Sequence, residues 1–502
     1  TQQYVKNVLI DQATRSGDAE ALEANRSEDY NRKLREAKLA ISLEKIYTKE
    51  EILERYLNIA AFGRSVYGIE AAANYYFGKT AAKLNYLEAA TLAGTTQSPT
   101  KWDPELNPEN AKQRRNVVLE RMHEQGYITD EELEAGIATP VEETLNIQPL
   151  KLGCTPANTA VPNAGYFCDY VTKVIANDPV FGETSEDRRQ LLYRGGLEIY
   201  TTLDPQMQTI ADEEVRNRIP QDDPSNVSAA LVSIRPGTGE IVAMTQNRTY
   251  NPANNPAPGE TAVNFNTDFR YGGSNGFPPG STFKPMVLAA WLEQGHTLME
   301  TVNASPRAFQ QTGWNAHCTS LNGPDWRPRN VEGSMSGFQP VEQIIYRSVN
   351  VGTVEMAYQM DLCDLFERSA DLGLRDVYGN TIEALPAMVL GTMQVSPLRM
   401  ANMYATFAAD GVYCEPIAIT RVTDADGNAI PVPTADCHQE IRPEIARAVN
   451  HTLQKVMTLG TARNVGNPVG HVAAGKTGTT NSNKHAWFIG YTPGLSTAVW
   501  TG

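Results

Sequence analysis

The sequence contains no run of about 18 apolar residues, the length that a membrane-spanning helix requires. It also has no excess of basic residues: the sequence contains 43 lysines and arginines and 58 aspartates and glutamates, which give a net charge of −15. Phosphate binding needs a basic face, so this balance argues against nucleic acid as the main partner. No internal repeat or low-complexity tract is found in the 502 residues, a length that predicts roughly two to four domains.

None of the six cysteines forms a C-x-x-C pair, which argues against a zinc ribbon. Several lie in loop-like sequence, and an even number of cysteines in loops is typical of disulfides and an oxidising compartment. The alternative is six buried free thiols in a cytosolic protein. We predict two local pairs with a third left over: Cys154–Cys168, Cys414–Cys437 and Cys318–Cys363.

The chain order predicts a multidomain protein with three parts. Residues 1–140 are predicted to be almost entirely helical, and Thr48 with Glu51 three residues later is typical of a helix-capping box. Residues 141–225 are predicted to be a linker module, because proline, asparagine, threonine and glycine dominate 147–165.

Residues 226–502 are predicted to form an α+β domain. Alternating patterns predict strands near both ends of this region, and helical patterns lie between them. The predicted strands are 227–234, 240–244, 472–479, 486–491 and 497–500, and the predicted helices are 284–294, 340–360 and 395–409. This order fits one antiparallel sheet flanked by helices.

Ser281 and Lys284 form a Ser-x-x-Lys pair at the start of an apolar helical pattern. Positions i and i+3 lie on one helix face, so the hydroxyl and the amine can meet. A neighbouring amine that is held neutral can take the proton of a serine and make it a nucleophile. Taken alone, however, the motif favours a simpler interpretation, a helix start with a solvated lysine.

Two further motifs follow in order and change that interpretation. Ser348, Val349 and Asn350 lie where one helical pattern gives way to another, and Lys-Thr-Gly at 476–478 lies on a late strand. Ser-x-x-Lys, Ser-Asp-Asn and Lys-Thr-Gly together are the signature of serine β-lactamases and penicillin-binding proteins. Val349 replaces the aspartate of that pattern, while the two flanking polar side chains are kept.

With these motifs the sequence resembles a class A (bifunctional) penicillin-binding protein. Pro-Gly-Ser-Thr-Phe-Lys-Pro at 279–285, Lys-Thr-Gly-Thr-Thr at 476–480 and Ala-Trp-Phe-Ile-Gly-Tyr-Thr-Pro at 486–493 resemble its transpeptidase domain. The N-terminal region resembles that family's glycosyltransferase, a lysozyme-like helical domain. The cysteine-bearing linker resembles actinobacterial members.

The resemblance implies that Ser281 attacks the D-Ala–D-Ala amide of a stem peptide, with Lys284 as the base. This role requires a depressed pKa of Lys284. Ser348 is implied to relay a proton to the leaving amine, and Asn350 to hold the substrate amide.

The late strand is implied to complete the site. Lys476 and Thr477 would order the hydroxyl network and bind the terminal carboxylate with help from Thr479, and Gly478 would leave room for the substrate backbone. The backbone N–H groups of Ser281 and Thr479 are the implied oxyanion hole. β-Lactams mimic the dipeptide and should trap the same serine.

In the helical region, the resemblance assigns these site residues: Glu36, Gln2, Gln3, Lys6, Asn7, Arg32 and Lys33. Taken alone, Glu36 is typical of a pair with Arg32 on a helix face, and the resemblance instead makes it the second acidic residue of the glycosyltransferase site. The family's first motif, with its principal glutamate, precedes the Thr-Gln-Gln at 1–3. We therefore expect the chain to transpeptidate but not to polymerise glycan, because one glutamate does not serve as both acid and base.

The expected substrates are stem peptides and lipid II, the expected inhibitors are β-lactams, and cell-wall or division proteins are expected partners. No cofactor is expected for transpeptidation, whereas the glycosyltransferase allows a divalent cation. The expected location is the extracytoplasmic face of the plasma membrane, with an anchor in a segment upstream of Thr1, which is not a methionine. The alternatives are a serine β-lactamase or D,D-carboxypeptidase, and a non-catalytic β-lactam sensor or scaffold.

Overall fold

The structure is a computed structural model that describes residues 1–16, 18–27, 29–63, 66–148, 153–331, 335–468, 470–480 and 484–502, without the side chains of residues 15 and 16. It divides into two compact units, Thr1–Lys151 and Leu152–Gly502. Each unit has its own elements and its own core, and each is described by itself.

The first unit is helical, as the sequence predicts. Its helices are α1 (Gln2–Ser16), α2 (Ala19–Arg26), α3 (Tyr30–Leu43), α4 (Lys49–Ile59), α5 (Ile69–Phe77), α6 (Tyr86–Thr95), α7 (Pro108–Glu124) and α8 (Asp130–Ala138). The predicted capping box of α4 is present: the Thr48 hydroxyl accepts from Glu51 N at 3.2 Å, and the Glu51 carboxylate accepts from Thr48 N at 2.7 Å. Buried tyrosine, phenylalanine and alanine side chains of α5 and its neighbours form one core cluster of this unit.

The second unit combines helices with short strands. Its helices are α9 (Ala157–Ala160), α10 (Gly165–Asn177), α11 (Ser185–Arg194), α12 (Pro205–Arg218), α13 (Phe269–Gly272), α14 (Lys284–Glu293), α15 (Val341–Tyr346), α16 (Asn350–Tyr358), α17 (Leu362–Asp371), α18 (Pro397–Ala408) and α19 (Pro443–Thr458). Its strands are β1 (Glu198–Thr201), β2 (Ala229–Ile234), β3 (Ile241–Gln246), β4 (Thr249–Tyr250), β5 (Glu260–Thr261), β6 (Thr301–Asn303), β7 (Phe338–Pro340), β8 (Val412–Tyr413), β9 (Ile419–Thr423), β10 (Ala429–Ile430), β11 (His438–Gln439), β12 (Ala474–Thr479), β13 (Ala486–Thr492) and β14 (Leu495–Thr501).

The central sheet has five strands in the order β12-β13-β14-β2-β3, and every neighbouring pair is antiparallel. This confirms the predicted sheet, in which strands from the two ends of the region pair with each other. β1 pairs with β9, so part of the segment predicted as a linker packs into the second unit.

Helix α14 is the buried centre of the second unit. Every side chain from Lys284 to Leu292 is buried, because the helix is apolar all round and lies against α16, α17 and α19. The one charged side chain of this buried stretch, Lys284, is therefore held in the interior, where an unpaired charge is costly.

The three disulfides are those predicted: Cys154–Cys168, Cys318–Cys363 and Cys414–Cys437. Cys318 precedes the segment 326–329, and its disulfide ties that loop to α17. In the part of the chain that the structure describes, no helix combines the length and the apolar character that crossing a bilayer requires.

Candidate active site

Ser281 lies in a 3₁₀ turn formed by Gly280–Phe283, directly before α14. Gly280 has a φ of 54°, in the left-handed region that favours glycine, and its N–H donates to the carbonyl of Gly391 at 2.9 Å. A Cβ atom on Gly391 would collide with the Gly280 backbone. Two glycines thus permit the close backbone approach that presents the serine.

Strand β12 passes against the same turn at Gly478. A Cβ atom there would lie 2.6 Å from the carbonyl oxygen of Pro279 and 2.9 Å from the methyl group of Thr282. Trp487 on β13 also donates from Nε1 to the carbonyl of Pro278 at 2.9 Å. The glycine of the Lys-Thr-Gly motif is therefore needed for contact between the strand and the turn that carries Ser281.

The amine of Lys284 points at the segment between α15 and α16. It donates to the carbonyl of Ser348 at 2.7 Å and to Oδ1 of Asn350 at 2.7 Å, and it lies 3.3 Å from Oγ of Ser348. Among the hydrogen bonds of the described residues, none joins this amine to Ser281. The sequence predicts that the Ser281 hydroxyl and the Lys284 amine can meet. In the structure the amine instead donates to the carbonyl of Ser348 and to the side-chain oxygen of Asn350.

Lys476 approaches the same hydroxyl from β12. Its amine is fully buried and donates to Oγ of Ser348 at 2.8 Å and to the carbonyl of Thr477 at 3.0 Å. The Ser348 hydroxyl thus lies between two buried lysine amines, which come from parts of the chain almost 200 residues apart.

Burial sets the protonation of these two lysines. Burial, and secondarily the charge of Lys476, hold the pKa of Lys284 well below its usual range, and burial lowers the pKa of Lys476 to about 7. No carboxylate of a described residue forms an ion pair with either amine. A neutral Lys284 is what a proton acceptor for a serine must be, and this is the condition that the sequence analysis set.

Ser348 adopts a left-handed backbone conformation with a φ of 61°, which is uncommon for a residue other than glycine. Two backbone hydrogen bonds stabilise this strained conformation. The N–H of Ser348 donates to the carbonyl of Ile345, and the N–H of Val349 donates to the carbonyl of Ile344. The side chain of Val349 is 1% exposed and packs in the core. The residue that departs from the Ser-Asp-Asn pattern therefore does not face the cleft.

Asn350 connects Lys284 to a loop that lines the cleft. Its Oδ1 accepts from Lys284, and its Nδ2 donates to the carbonyl of Arg329 at 2.9 Å. One N–H of the amide remains for a substrate carbonyl, the role that the resemblance implies.

Thr461 is a contact of the site that sequence reasoning missed. Its hydroxyl lies 2.6 Å from that of Thr477, and it follows α19 in a stretch with no motif of its own. Only the packing of α19 along β12 brings the two together, so no local pattern indicates it.

Ser281 opens into a cleft of ≈ 610 Å³. Its walls are a loop at 326–329 with Asn350, the segment 387–392, and the ends of β12 and β13. Lining residues near the serine include Gly280, Trp326, Arg329, Thr479, Lys484 and His485. The predicted oxyanion-hole residues, Ser281 and Thr479, both line this cleft.

In the first unit, Glu36 on α3 is 1% exposed and pairs with Arg32 and, at 3.3 Å, with Lys33. The pair of Glu36 with Arg32, which the helix spacing alone would place on a solvent-exposed face, is therefore buried. Gln2 on α1 donates to the carbonyl of Lys33 at 3.3 Å, which brings the start of α1 beside α3. The other predicted residues of α1 lie on its first two turns, where Gln3 donates to Asn7 at 3.3 Å and Lys6 is half-buried.

The described residues of the first unit contain no ready-made cluster of metal-ligating side chains. Of the side chains described there, no three of the His, Cys, Asp or Glu type place their ligand atoms together. Glu36 already contacts two cationic side chains, which compete with a metal ion for its carboxylate.

Comparison with known proteins agrees with this geometry. Residues 229–502 match the family described as penicillin binding protein transpeptidase domain, and residues 1–123 match the family described as transglycosylase. The chain belongs to the penicillin-binding protein transpeptidase family. The order of the two domains is that of class A penicillin-binding proteins.

Individual relatives support the same family. Penicillin-binding protein 2D of Bacillus subtilis is 29% identical over all of this chain, which spans 65% of the length of that relative. The crystal structure of penicillin-binding protein 1A from Haemophilus influenzae matches 91% of this chain and 81% of its own, with a TM-score of 0.68 and 22% identity, and shows the shared fold. The PonA1 protein from Mycobacterium tuberculosis, solved in complex with penicillin V, matches 62% of this chain and 79% of its own, with a TM-score of 0.50 and 28% identity.

The left-handed Ser348 of this transpeptidase domain gives a matched pair of variants. Ser348→Gly and Ser348→Ala both remove the hydroxyl, but glycine adopts a φ of 61° without steric cost. We expect the glycine variant to be more stable than the alanine variant by about 1 kcal/mol, measured by chemical denaturation. Equal stabilities, or a more stable alanine variant, would contradict strain at this residue.

The depressed pKa of Lys476 predicts a pH dependence of stability. Its folded-state pKa of about 7 lies below the ordinary 10.5, so the unfolded chain binds more protons between these pH values. The penalty of burying Lys476 is complete below pH 7 and fades as the pH rises toward 10.5, with a slope of at most about 1.4 kcal/mol per pH unit.

The measurement is the unfolding free energy of Lys476→Met relative to the wild type across pH 6 to 10. We expect the advantage of the methionine variant to be largest below pH 7 and to shrink as the pH rises. Lys484→Met, which removes an exposed amine, is the control and should show no such trend. A difference for Lys476→Met that stays constant with pH would refute a depressed pKa.

Proposed function

We propose that this protein is a serine D,D-transpeptidase that cross-links peptidoglycan stem peptides through an acyl-enzyme on Ser281. One observation carries the proposal: two buried lysine amines converge on Ser348 beside the turn that presents Ser281. Membership of the transpeptidase family supports the same chemistry.

In the first half-reaction, Oγ of Ser281 attacks the carbonyl carbon of the penultimate D-Ala, and its proton passes to the neutral amine of Lys284. The Ser281 and Thr479 N–H groups stabilise the oxyanion. Collapse of the tetrahedral intermediate breaks the C–N bond, and the leaving D-Ala amine receives a proton through the hydroxyl of Ser348, which Lys284 and Lys476 contact.

In the second half-reaction, the amine of another stem peptide attacks the ester carbon of the acyl-enzyme. Its proton returns through the same amine–hydroxyl network, and Ser281 is released. During the first half-reaction, Lys476 and Thr477 on β12 bind the terminal carboxylate of the donor with help from Thr479. β-Lactams are inhibitors on this proposal, since their ring amide takes the place of the D-Ala–D-Ala bond and leaves a stable ester. The penicillin V complex of the mycobacterial relative supports it.

Acylation by benzylpenicillin tests the proposal. Intact-mass spectrometry should show one adduct on the wild type and none on Ser281→Ala. Lys284→Met should acylate about 10²–10⁴-fold more slowly, because a general base is lost. Lys284→Arg should be as slow, since a guanidinium keeps its proton.

An adduct that survives Ser281→Ala, or a Lys284→Arg variant that acylates at the wild-type rate, would refute these roles. Turnover of the adduct separates the related activities. Cross-linking of stem peptides with slow hydrolysis is expected; rapid hydrolysis without cross-linking would indicate a carboxypeptidase or β-lactamase, and a single acylation without either would indicate a sensor.

The first unit belongs to the glycan-polymerising half of such an enzyme, with lipid II as its substrate on this proposal. We propose Glu36 as its acidic site residue, with Arg32 and Lys33 holding the carboxylate and Gln2, Gln3, Lys6 and Asn7 lining the approach from α1. On this proposal Glu36 is the second acidic residue of the site, and one carboxylate does not serve as both acid and base, so residues 1–502 do not polymerise glycan by themselves.

A lipid II polymerisation assay on residues 1–502 should yield no glycan polymer. Polymer formed by the wild type and lost in Glu36→Gln would overturn this proposal, because Glu36 would then be sufficient. Stem-peptide cross-linking by the same preparation is the positive control for folding.

Three disulfides and the family's chemistry support a location on the extracytoplasmic face of the plasma membrane, next to the polymer and to other cell-wall and division proteins.

A further inference from the structure

The cleft at Ser281 has a charge opposite to that of the protein. The chain carries a net charge of −15, yet Arg327, Arg329 and Lys484 line this cleft. Among the described residues that line it, none is an aspartate or glutamate. Burial and the neighbouring Lys484 lower the pKa of His485, which leaves the three longer side chains as the cations of the cleft. A cationic cleft in an acidic protein favours an anionic ligand.

Arg327 and Arg329 make no ion pair or side-chain hydrogen bond with any residue that the structure describes. Both are exposed, and both belong to the loop wall of the cleft. Many other arginines of this unit are paired: Arg307 binds Glu355, Arg368 binds Glu293 and Glu440, and Arg399 binds Asp268. The guanidinium groups at the cleft are thus available to a ligand.

The backbone that carries these arginines is held firmly. The carbonyl of Arg329 accepts from Asn350, and the side chain of Asn330 accepts from the N–H of Val351 at 2.8 Å and donates to the carbonyl of Ala304 at 2.8 Å. Trp326 exchanges backbone hydrogen bonds with Phe309 at 2.8 and 2.9 Å. The Cys318–Cys363 disulfide ties the preceding part of the loop to α17. The arginines therefore start from a fixed place beside the catalytic serine.

We propose that Arg327 and Arg329 bind a carboxylate on the acyl-donor side of the substrate, the part that stays on Ser281 in the acyl-enzyme. The inference rests on the proposed function, and it specifies in addition that the donor substrate is negatively charged. The donor's terminal carboxylate lies with Thr477 and Thr479 on the β12 wall, and so the loop wall recognises a second anionic group. The preferred donor is accordingly an acidic peptide.

Two penicillins provide the test, because carbenicillin differs from benzylpenicillin by one extra carboxylate on its side chain. The second-order rate of Ser281 acylation is measured for both with the wild type, Arg327→Ala, Arg329→Ala and the double variant. Charge-assisted contacts at partly exposed sites are modest, so we expect the carbenicillin-to-benzylpenicillin ratio to fall about three- to tenfold in the double variant.

Matched measurements separate binding from general charge effects. Arg218→Ala removes an arginine on α12 whose side chain is 83% exposed, and should leave the ratio unchanged. Arg329→Lys should retain part of the preference because it keeps the charge but not the planar fork. Raising the salt to 1 M should lower the wild-type ratio toward that of the double variant.

An unchanged ratio in the double variant would overturn the inference. So would an equal loss of rate with both penicillins, since the arginines would then serve their common carboxylate or the fold. A complete lack of benzylpenicillin acylation by the wild type would instead refute the proposed function, so the two failures are distinguishable.

Discussion

The site depends on the burial of two lysine amines against one serine hydroxyl. Lys284 and Lys476 are both fully buried, and both contact Ser348, with no carboxylate of a described residue to compensate their charge. Two protonated amines at this distance in a dry interior are mutually unfavourable, so burial forces Lys284 toward its neutral form. The apolar surroundings of α14 thus hold Lys284 in the protonation state that the proposed general base requires.

Close backbone contact is the second requirement, because the site is assembled from four distant segments. Gly280 and Gly391 meet backbone to backbone, and Gly478 lets β12 pass against the turn of Ser281. Side chains at these places would hold the segments apart. The strained Ser348 belongs to the fourth segment, and its hydroxyl contacts both amines. Small residues and one unfavourable φ are therefore the structural cost of bringing the Ser281 turn, the two amines and the Ser348 hydroxyl together.

The cleft shows how local charge can differ from the charge of the chain. Within the described part of this acidic protein, the cleft arginines make no ion pair, while many other arginines of the same unit are engaged in ion pairs. Hydrogen bonds and a disulfide fix the loop that bears them, so the free guanidinium groups are presented by a rigid backbone. Asn350 links this loop to the buried amines, since it accepts from Lys284 and donates to the carbonyl of Arg329.

The sequence by itself determined the helical first region, the α+β second region and the order of the three motifs, because periodicity, capping residues and motif spacing are local properties. The sequence did not fix the pairing of the disulfides, because six cysteines allow many connectivities. It did not indicate that the Lys284 amine would turn to Ser348 and Asn350, that Thr461 would meet Thr477, or that Val349 would face the core. Tertiary structure alone decided these points. The first two points depend on how segments more than a dozen residues apart are oriented. The third depends on the orientation of the backbone between α15 and α16. It also decided the protonation of Lys284, since a pKa follows from burial and neighbours that no single stretch of sequence contains.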